Sequence, residues 1–152
     1  MYSMVAAMFI LGEKSELRPC DLYAHGGSPC VAAHSLTRAL FAAYDGPLYK
    51  IQRLSDNQTK DIYVDKPGGI ADAGAHQQFC MNSVCALQLI FDQSPQGNSL
   101  GVAHGAANWR PPRNMQDRAV NFSDPRARVM LGNKTVYSAV FNTFAGYRNG
   151  WH

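Results

Sequence analysis

Four cysteines fall in two close pairs, Cys20 with Cys30 and Cys80 with Cys85. An even number at short spacing suits a disulfide framework, although four cysteines admit three connectivities. Pairing within each close pair is the simplest of the three. Each short loop closed in this way stabilises a fold by about 2–3 kcal/mol through the entropy it removes from the unfolded chain. Such bonds persist in oxidising compartments. A metal clip is the competing reading, with His76, Cys80 and Cys85 as ligands and Cys20 and Cys30 completing the set. The residues between Cys80 and Cys85 do not resemble a zinc knuckle, so neither a metal nor a cofactor is expected. A redox C-x-x-C pair is excluded by the spacing.

A second feature points to the same compartment. Asn57-Gln58-Thr59, Asn121-Phe122-Ser123 and Asn133-Lys134-Thr135 are acceptor sequons without a central proline, where chance would supply about one. Asn57, Asn121 and Asn133 are therefore expected glycosylation positions, all in turns or loops. Residues 1–18 read as a degenerate secretion signal or a misassigned start. Met4 to Leu11 is apolar, but no basic residue precedes it and no clear small-x-small cleavage site follows. The stretch is too short to span a membrane. The chain is expected to be extracellular, with no membrane partner.

Apolar residues make up 46% and charged residues 16% of the 152, which is a globular composition rather than a disordered one. Arg110, Arg113, Arg118, Arg126 and Arg128 cluster late, but without helical spacing and with little aromatic interleaving. They read as a solvated loop, and no nucleic-acid partner is expected.

Along the chain, Ser28-Pro29 has the form of a helix start, and Val31 to Tyr44 recurs near a 3.6 period, predicting a helix that Asp45-Gly46-Pro47 stops. Leu48–Arg53 and Asp61–Val64 read as a hairpin. Ile70 to Phe79 predicts one or two helical turns, with Asp72 in the first. Ala86 to Asp92, "ALQLIFD", reads as a buried strand, and "DQSPQGNS" as the turn leaving it. Leu100 to Arg128 reads as a long loop, of a length that is often functional. Val129–Leu131 and Thr135–Phe141 read as a second hairpin. This pattern predicts a mainly β, antiparallel β-sandwich with one or two short helices. About five strands are found where a sandwich usually has seven or more, so the sandwich is expected to be partial.

No H-E-x-x-H or G-x-S-x-G occurs, which leaves metalloprotease and serine-hydrolase readings unsupported. His25, His34, His76, His104 and His152 are scattered. His104 and Trp109 lie in the long loop, where packing or exposure is the favoured reading over binding. Glycosidic cleavage generally needs two facing carboxylates. The only glutamates, Glu13 and Glu16, are in the amino-terminal segment. Most aspartates sit at turns or helix starts, where Asp is structural by default. Asp92, directly after the buried strand, is the best lone candidate, and even there turn capping is the favoured role.

Six segments occur in order at consistent spacing: "PCDLY", "SPCVAAHSLTRAL", "TRALFAAYDGPLYKIQR", "GGIADAGAHQQFC", "LIFDQSPQGNSL" and "FNTFAGYRN". Together they resemble the catalytic domain of the α-L-arabinofuranosidase B type, glycoside hydrolase family 54, from Pro19 to Asn149. The resemblance implies a concanavalin-like sandwich in a secreted enzyme. It implies release of terminal arabinofuranosyl residues from arabinoxylan and arabinan, with retention, through a glutamate nucleophile and an aspartate acid/base. It also implies the disulfides Cys20–Cys30 and Cys80–Cys85. Residues 19–149 correspond to the amino-terminal part of that domain, and residues 150–152 do not match it. The family's catalytic pair, its sugar pocket and an adjacent-cysteine pair belong to the portion beyond this match. The Cys80–Cys85 loop also lacks the sequon common in the family, since Asn82-Ser83-Val84 is not one. The expectation is therefore a chain without the catalytic carboxylates, inactive alone and monomeric, whose partner class is arabinose-substituted plant polysaccharide. The alternative is a non-catalytic carbohydrate-binding or structural sandwich.

Overall fold

The computed structural model describes residues 16–103, 118–142 and 145–149. The first fifteen residues with Glu13, the stretch holding His104, Trp109, Arg110, Arg113 and Asp117, and residues 150–152 lie outside the described residues.

The main sheet is antiparallel and five-stranded. Strand β1 (Pro47–Arg53) and β2 (Thr59–Tyr63) form the first predicted hairpin. Its turn uses Asn57 at φ 59°, a conformation that asparagine tolerates better than most residues. Strand β3 (Cys85–Ile90) is central, pairing with β1 on one side and with β4 (Leu100–Val102) on the other. The second hairpin, β5 (Arg128–Leu131) with β6 (Lys134–Tyr137), forms a separate two-stranded sheet. Its two-residue turn begins with Gly132 at φ 62°, as such tight hairpins require. Strand β7 (Tyr147–Asn149) returns to the main sheet and closes its far edge beside β4, giving the order β2-β1-β3-β4-β7.

The core lies between the sheets. Leu48, Tyr49, Ile51, Ile62 and Leu87 of the main sheet are fully buried, as is Val136 of β6, and Val129 and Leu131 of β5 pack against them. Among the described residues, mainly antiparallel β-structure in two layers with two short helices agrees with the predicted fold class.

Several local readings are corrected. Residues 31–44 are not helical, and Ser28-Pro29 starts no helix. The 3.6 periodicity there is carried largely by alanines, and the backbone groups are taken by distant partners instead. Ala39 N–H donates to Gly69 O (2.9 Å) and Leu40 O accepts from Cys20 N–H (2.9 Å). Ala42 N–H donates to Asp21 Oδ2 (2.8 Å). The Gln93 carboxamide, itself buried, accepts from Leu40 N–H (2.7 Å) and donates to Arg38 O (3.1 Å).

Helix α1 (Pro19–His25) lies outside the predicted helical stretches. Pro19 suits its first position, and Asp21 Oδ2 accepts from the Arg18 N–H at 2.8 Å. Helix α2 (Ala73–Phe79) occupies the second predicted helical stretch, with Asp72 as its cap rather than in its first turn: Ala75 N–H donates to Asp72 Oδ1 at 2.9 Å. The predicted strand Thr135–Phe141 stops at Tyr137. The predicted loop from Leu100 contains β4, a short 3-10 turn at Pro125–Ala127 and a bridge between Ala86 and Asn121.

Candidate functional site

The most organised cluster of chemistry-bearing side chains is built on α2. The cap at Asp72 starts the helix, and the helical turn carries His76 inward until it is only 2% exposed. Tyr49, pointing from β1 into the core, places its hydroxyl 2.9 Å from His76 Nδ1. The Tyr137 ring of β6 stacks on the imidazole with centroids 3.8 Å apart and planes 10° apart. Phe122 meets the imidazole edge-on at 4.7 Å. Burial pushes His76 down from 6.5 to about 4, and burial pushes the Tyr49 hydroxyl further up from its ordinary value. At neutral pH the imidazole is therefore uncharged. The Tyr49 hydroxyl and Nδ1 share one hydrogen bond, in which the neutral ring donates or accepts according to which nitrogen carries its proton.

Beside this cluster opens a cavity of about 670 Å³, walled by His76, Met81, Val84, Phe122, Tyr137 and the Cys80–Cys85 disulfide. Among the described residues no carboxylate lines it. It can hold a ligand by stacking and shape, but its described lining offers no acid/base pair for bond cleavage. The sulfurs of Cys80 and Cys85 are joined to each other, as are those of Cys20 and Cys30. Neither pair therefore offers a thiolate to a metal. Among the described residues no three His, Cys, Asp or Glu side chains are grouped to hold a metal ion.

Asp92 lies elsewhere, in the loop that follows β3. Its Oδ1 accepts from Ala33 N–H (2.7 Å) and Ser94 N–H (2.9 Å). Its Oδ2 accepts from the Ser94 hydroxyl (2.7 Å) and Asn98 N–H (2.8 Å). Burial acts to raise the pKa of this carboxyl, but the hydrogen bonds from Ser94, Ala33 and Asn98 outweigh burial and hold it below the ordinary value. That direction is opposite to what a general acid needs. Four donors occupy the lone pairs that a nucleophile would use.

The remaining described carboxylates are largely committed too. Asp21 and Asp72 cap helices, and Asp56, Asp61, Asp65 and Asp124 pair with Arg53, Lys50, Lys134 and Arg126. Glu16 lies near Arg18, 86% exposed. Asp45 is exposed in the turn before β1. His34 sits in irregular backbone, with Nε2 2.8 Å from Asn98 O. Arg118 and Arg128 are exposed. Asn57, Asn121 and Asn133 are all exposed, the first and last at hairpin turns. Sequence reasoning weighed His76 only as a metal ligand. Its aromatic setting depends on Tyr49, Phe122 and Tyr137, which are distant in the chain and share no local pattern.

Comparison with known proteins now bears on this framework. The family profile described as "Alpha-L-arabinofuranosidase B, catalytic" matches residues 19–151. The probable α-L-arabinofuranosidase B of Aspergillus flavus is 44% identical over 131 residues, covering 86% of this chain and 26% of the relative. The α-L-arabinofuranosidase B of Emericella nidulans is 40% identical over 148 residues, covering 97% of this chain and 28% of the relative. Among solved structures, a glycoside hydrolase family 54 α-L-arabinofuranosidase soaked with a cyclic sulfate inhibitor superposes with a TM-score of 0.79 at 41% identity, over 88% of this chain and 27% of the other. An arabinofuranosidase complexed with arabinofuranosyl-α-1,2-xylobiose gives the same TM-score, identity and coverage. This chain spans about a quarter of the length of the relatives it matches. By profile, identity and fold together, the chain belongs to the α-L-arabinofuranosidase B catalytic family, glycoside hydrolase family 54, and corresponds to its amino-terminal portion.

Proposed function

We propose that this chain is the structural amino-terminal part of the catalytic sandwich of an extracellular α-L-arabinofuranosidase. In this reading the enzyme releases terminal arabinofuranosyl residues from arabinose-substituted plant polysaccharide, with retention. The carboxylates that break the bond come from the part of the relatives that this chain does not cover. The family match over residues 19–151 carries the reading. The saturated carboxylate of Asp92 supports the view that residues 19–149 serve as scaffold. The two disulfides suit an oxidising, extracellular setting.

The test is release of nitrophenol from 4-nitrophenyl α-L-arabinofuranoside by this chain. No turnover is expected. Clear turnover that Asp92→Ala abolishes would overturn the scaffold role. One observation favours a second reading: the cavity beside Phe122 and Tyr137, whose described lining holds no carboxylate, suits non-catalytic carbohydrate binding. Retention on insoluble arabinoxylan without sugar release would support that reading instead.

A further inference from the structure

Asn121 lines a second cavity, of about 530 Å³, together with Arg118, Ser123, Asp124, Arg126 and Phe141. That volume falls within the roughly 300–1,000 Å³ typical of small-ligand sites. The backbone around Asn121 is pinned on both sides. Leu87 N–H donates to Val120 O (2.7 Å), and Phe122 N–H donates to Cys85 O (2.9 Å). Val120 is buried and Phe122 packs against the core, while Asn121 between them is exposed. The Asn121 Oδ1 accepts from both the Ser123 N–H and the Ser123 hydroxyl. An N-linked sugar keeps that carbonyl oxygen and uses only Nδ2, so the turn and the linkage are compatible.

Phe141 also lines this cavity and is 55% exposed. Its ring is propped edge-on by Tyr147, with centroids 5.9 Å apart and planes at 87°. Tyr147 is itself fixed, its hydroxyl donating to Leu87 O (2.7 Å) and accepting from Val120 N–H (2.8 Å). The Asp124–Arg126 pair adds two planar polar groups to the lining, with Arg126 Nε 3.0 Å from Asp124 Oδ1. An exposed ring for the apolar face of a sugar, with charged groups for its hydroxyls, is a carbohydrate-binding combination. Asn57 and Asn133 do not line this cavity.

We propose that this cavity is the seat of an N-linked glycan carried by Asn121, whose first sugar packs on Phe141. The inference rests on the extracellular reading of the chain. In the transfer, Asn121 Nδ2 bonds to the anomeric carbon of an oligosaccharide activated as a lipid diphosphate. The bond from that carbon to the diphosphate oxygen breaks, the diphosphate leaves with the electron pair, and Nδ2 gives up one proton to a base. Once attached, the sugar is tethered, and a tether supplies an effective concentration on the order of millimolar. A weak stacking contact is then enough to fill the seat.

The test uses the whole 152-residue chain behind a heterologous secretion leader in a glycosylating host, so its result does not depend on the native start. The same chain made with its disulfides in a non-glycosylating host is the comparison. Peptide mapping by mass spectrometry reads occupancy at each sequon. Hydrogen exchange reads the peptides covering residues 118–126 and 138–142. Asn121 is expected to be occupied, and its glycan is expected to slow exchange there by about fivefold. Phe141→Ala is expected to cancel the slowing while leaving occupancy unchanged. An empty Asn121, with or without glycan at Asn57 and Asn133, overturns the proposal. So does glycan-independent exchange, or a slowing that Phe141→Ala does not touch. Absence of the protein from the culture medium of its own host would count against the extracellular reading alone.

Discussion

The Tyr49 hydroxyl and His76 Nδ1 stand 2.9 Å apart, joining the central region of the main sheet to the helix that covers it. Both groups are withdrawn from bulk solvent, since Tyr49 is fully buried and His76 is 2% exposed. The pair therefore ties stability to the protonation of one ring.

That ring gives the fold an acid-side weakness. Burial lowers His76 from 6.5 to about 4, so the folded chain favours the neutral imidazole. Stability is full above about pH 6.5 and falls as the pH drops toward 4, because the unfolded chain takes up a proton that the folded chain excludes. The loss across this window reaches about 3 kcal/mol. Melting temperatures between about pH 8 and pH 4.5, which cover most of that window, check the slope. His76→Phe is expected to flatten it, and an unchanged slope would assign the loss to other groups.

Asp92 titrates lower. Its folded-state value is depressed, so its contribution is present above the ordinary carboxylate range and is lost as the pH falls through it. Asp92→Asn replaces an acceptor of four hydrogen bonds with a neutral amide. Destabilisation on the order of 3 kcal/mol is expected, since bonds to a charged acceptor contribute about 1.5–3 kcal/mol each and do not add fully. Urea unfolding measures this. A change below about 0.5 kcal/mol, the range of ordinary surface substitutions, would remove Asp92 from the scaffold.

The two disulfides differ in span, with separations of ten and five residues. Chain entropy assigns about 3 kcal/mol to Cys20–Cys30 and about 2 kcal/mol to Cys80–Cys85. The double substitution Cys20→Ser with Cys30→Ser should therefore lower stability more than the same change at Cys80 and Cys85. Denaturant midpoints of the two variants decide the order. The reverse order would mean that the α2–β3 junction is held by more than loop closure.

Gly68 has φ 66°, and a Cβ there would lie 2.4 Å from Ala42 O, which is backbone. Gly68→Ala combines a left-handed conformation with a clash that no side chain can relieve, and a loss of about 2 kcal/mol or more is expected. Gly97 has φ 71° but nothing within 4 Å. Gly97→Ala should lose less, about 1 kcal/mol. Equal effects at the two positions would show that the contact with Ala42 does not matter.

The hairpins were legible because their signals are local. Alternation marks Tyr49 and Ile51, glycine and asparagine mark the tight turn at Gly132-Asn133, and the apolar run marks β3. Residues 31–44 misled because small residues mimic a helical stripe, while the acceptors and donors that decide the outcome sit at Asp21, Gly69, Asp92 and Gln93. Three-residue strands such as β4 and β7 are too short to carry a period and exist because a neighbour pairs with them. Helix α1 did carry a local signal, Pro19 followed by Asp21, but it is only seven residues long. Of the site, Asp92 was legible as a turn residue. The Tyr49–His76–Phe122–Tyr137 cluster was not, because it is assembled from four separate segments.

The buried Gln93 carboxamide takes one hydrogen bond from Leu40 and gives one to Arg38, as a main-chain peptide unit would do. It acts as a surrogate rung, continuing the ladder where no strand continues. Only glutamine has both the reach and the paired donor and acceptor: an ionised glutamate in its place would lack the donor, and asparagine would fall a methylene short. Any chimaera that transplants segment 31–44 into another scaffold must therefore carry position 93 with it, more than fifty residues downstream of the backbone it completes.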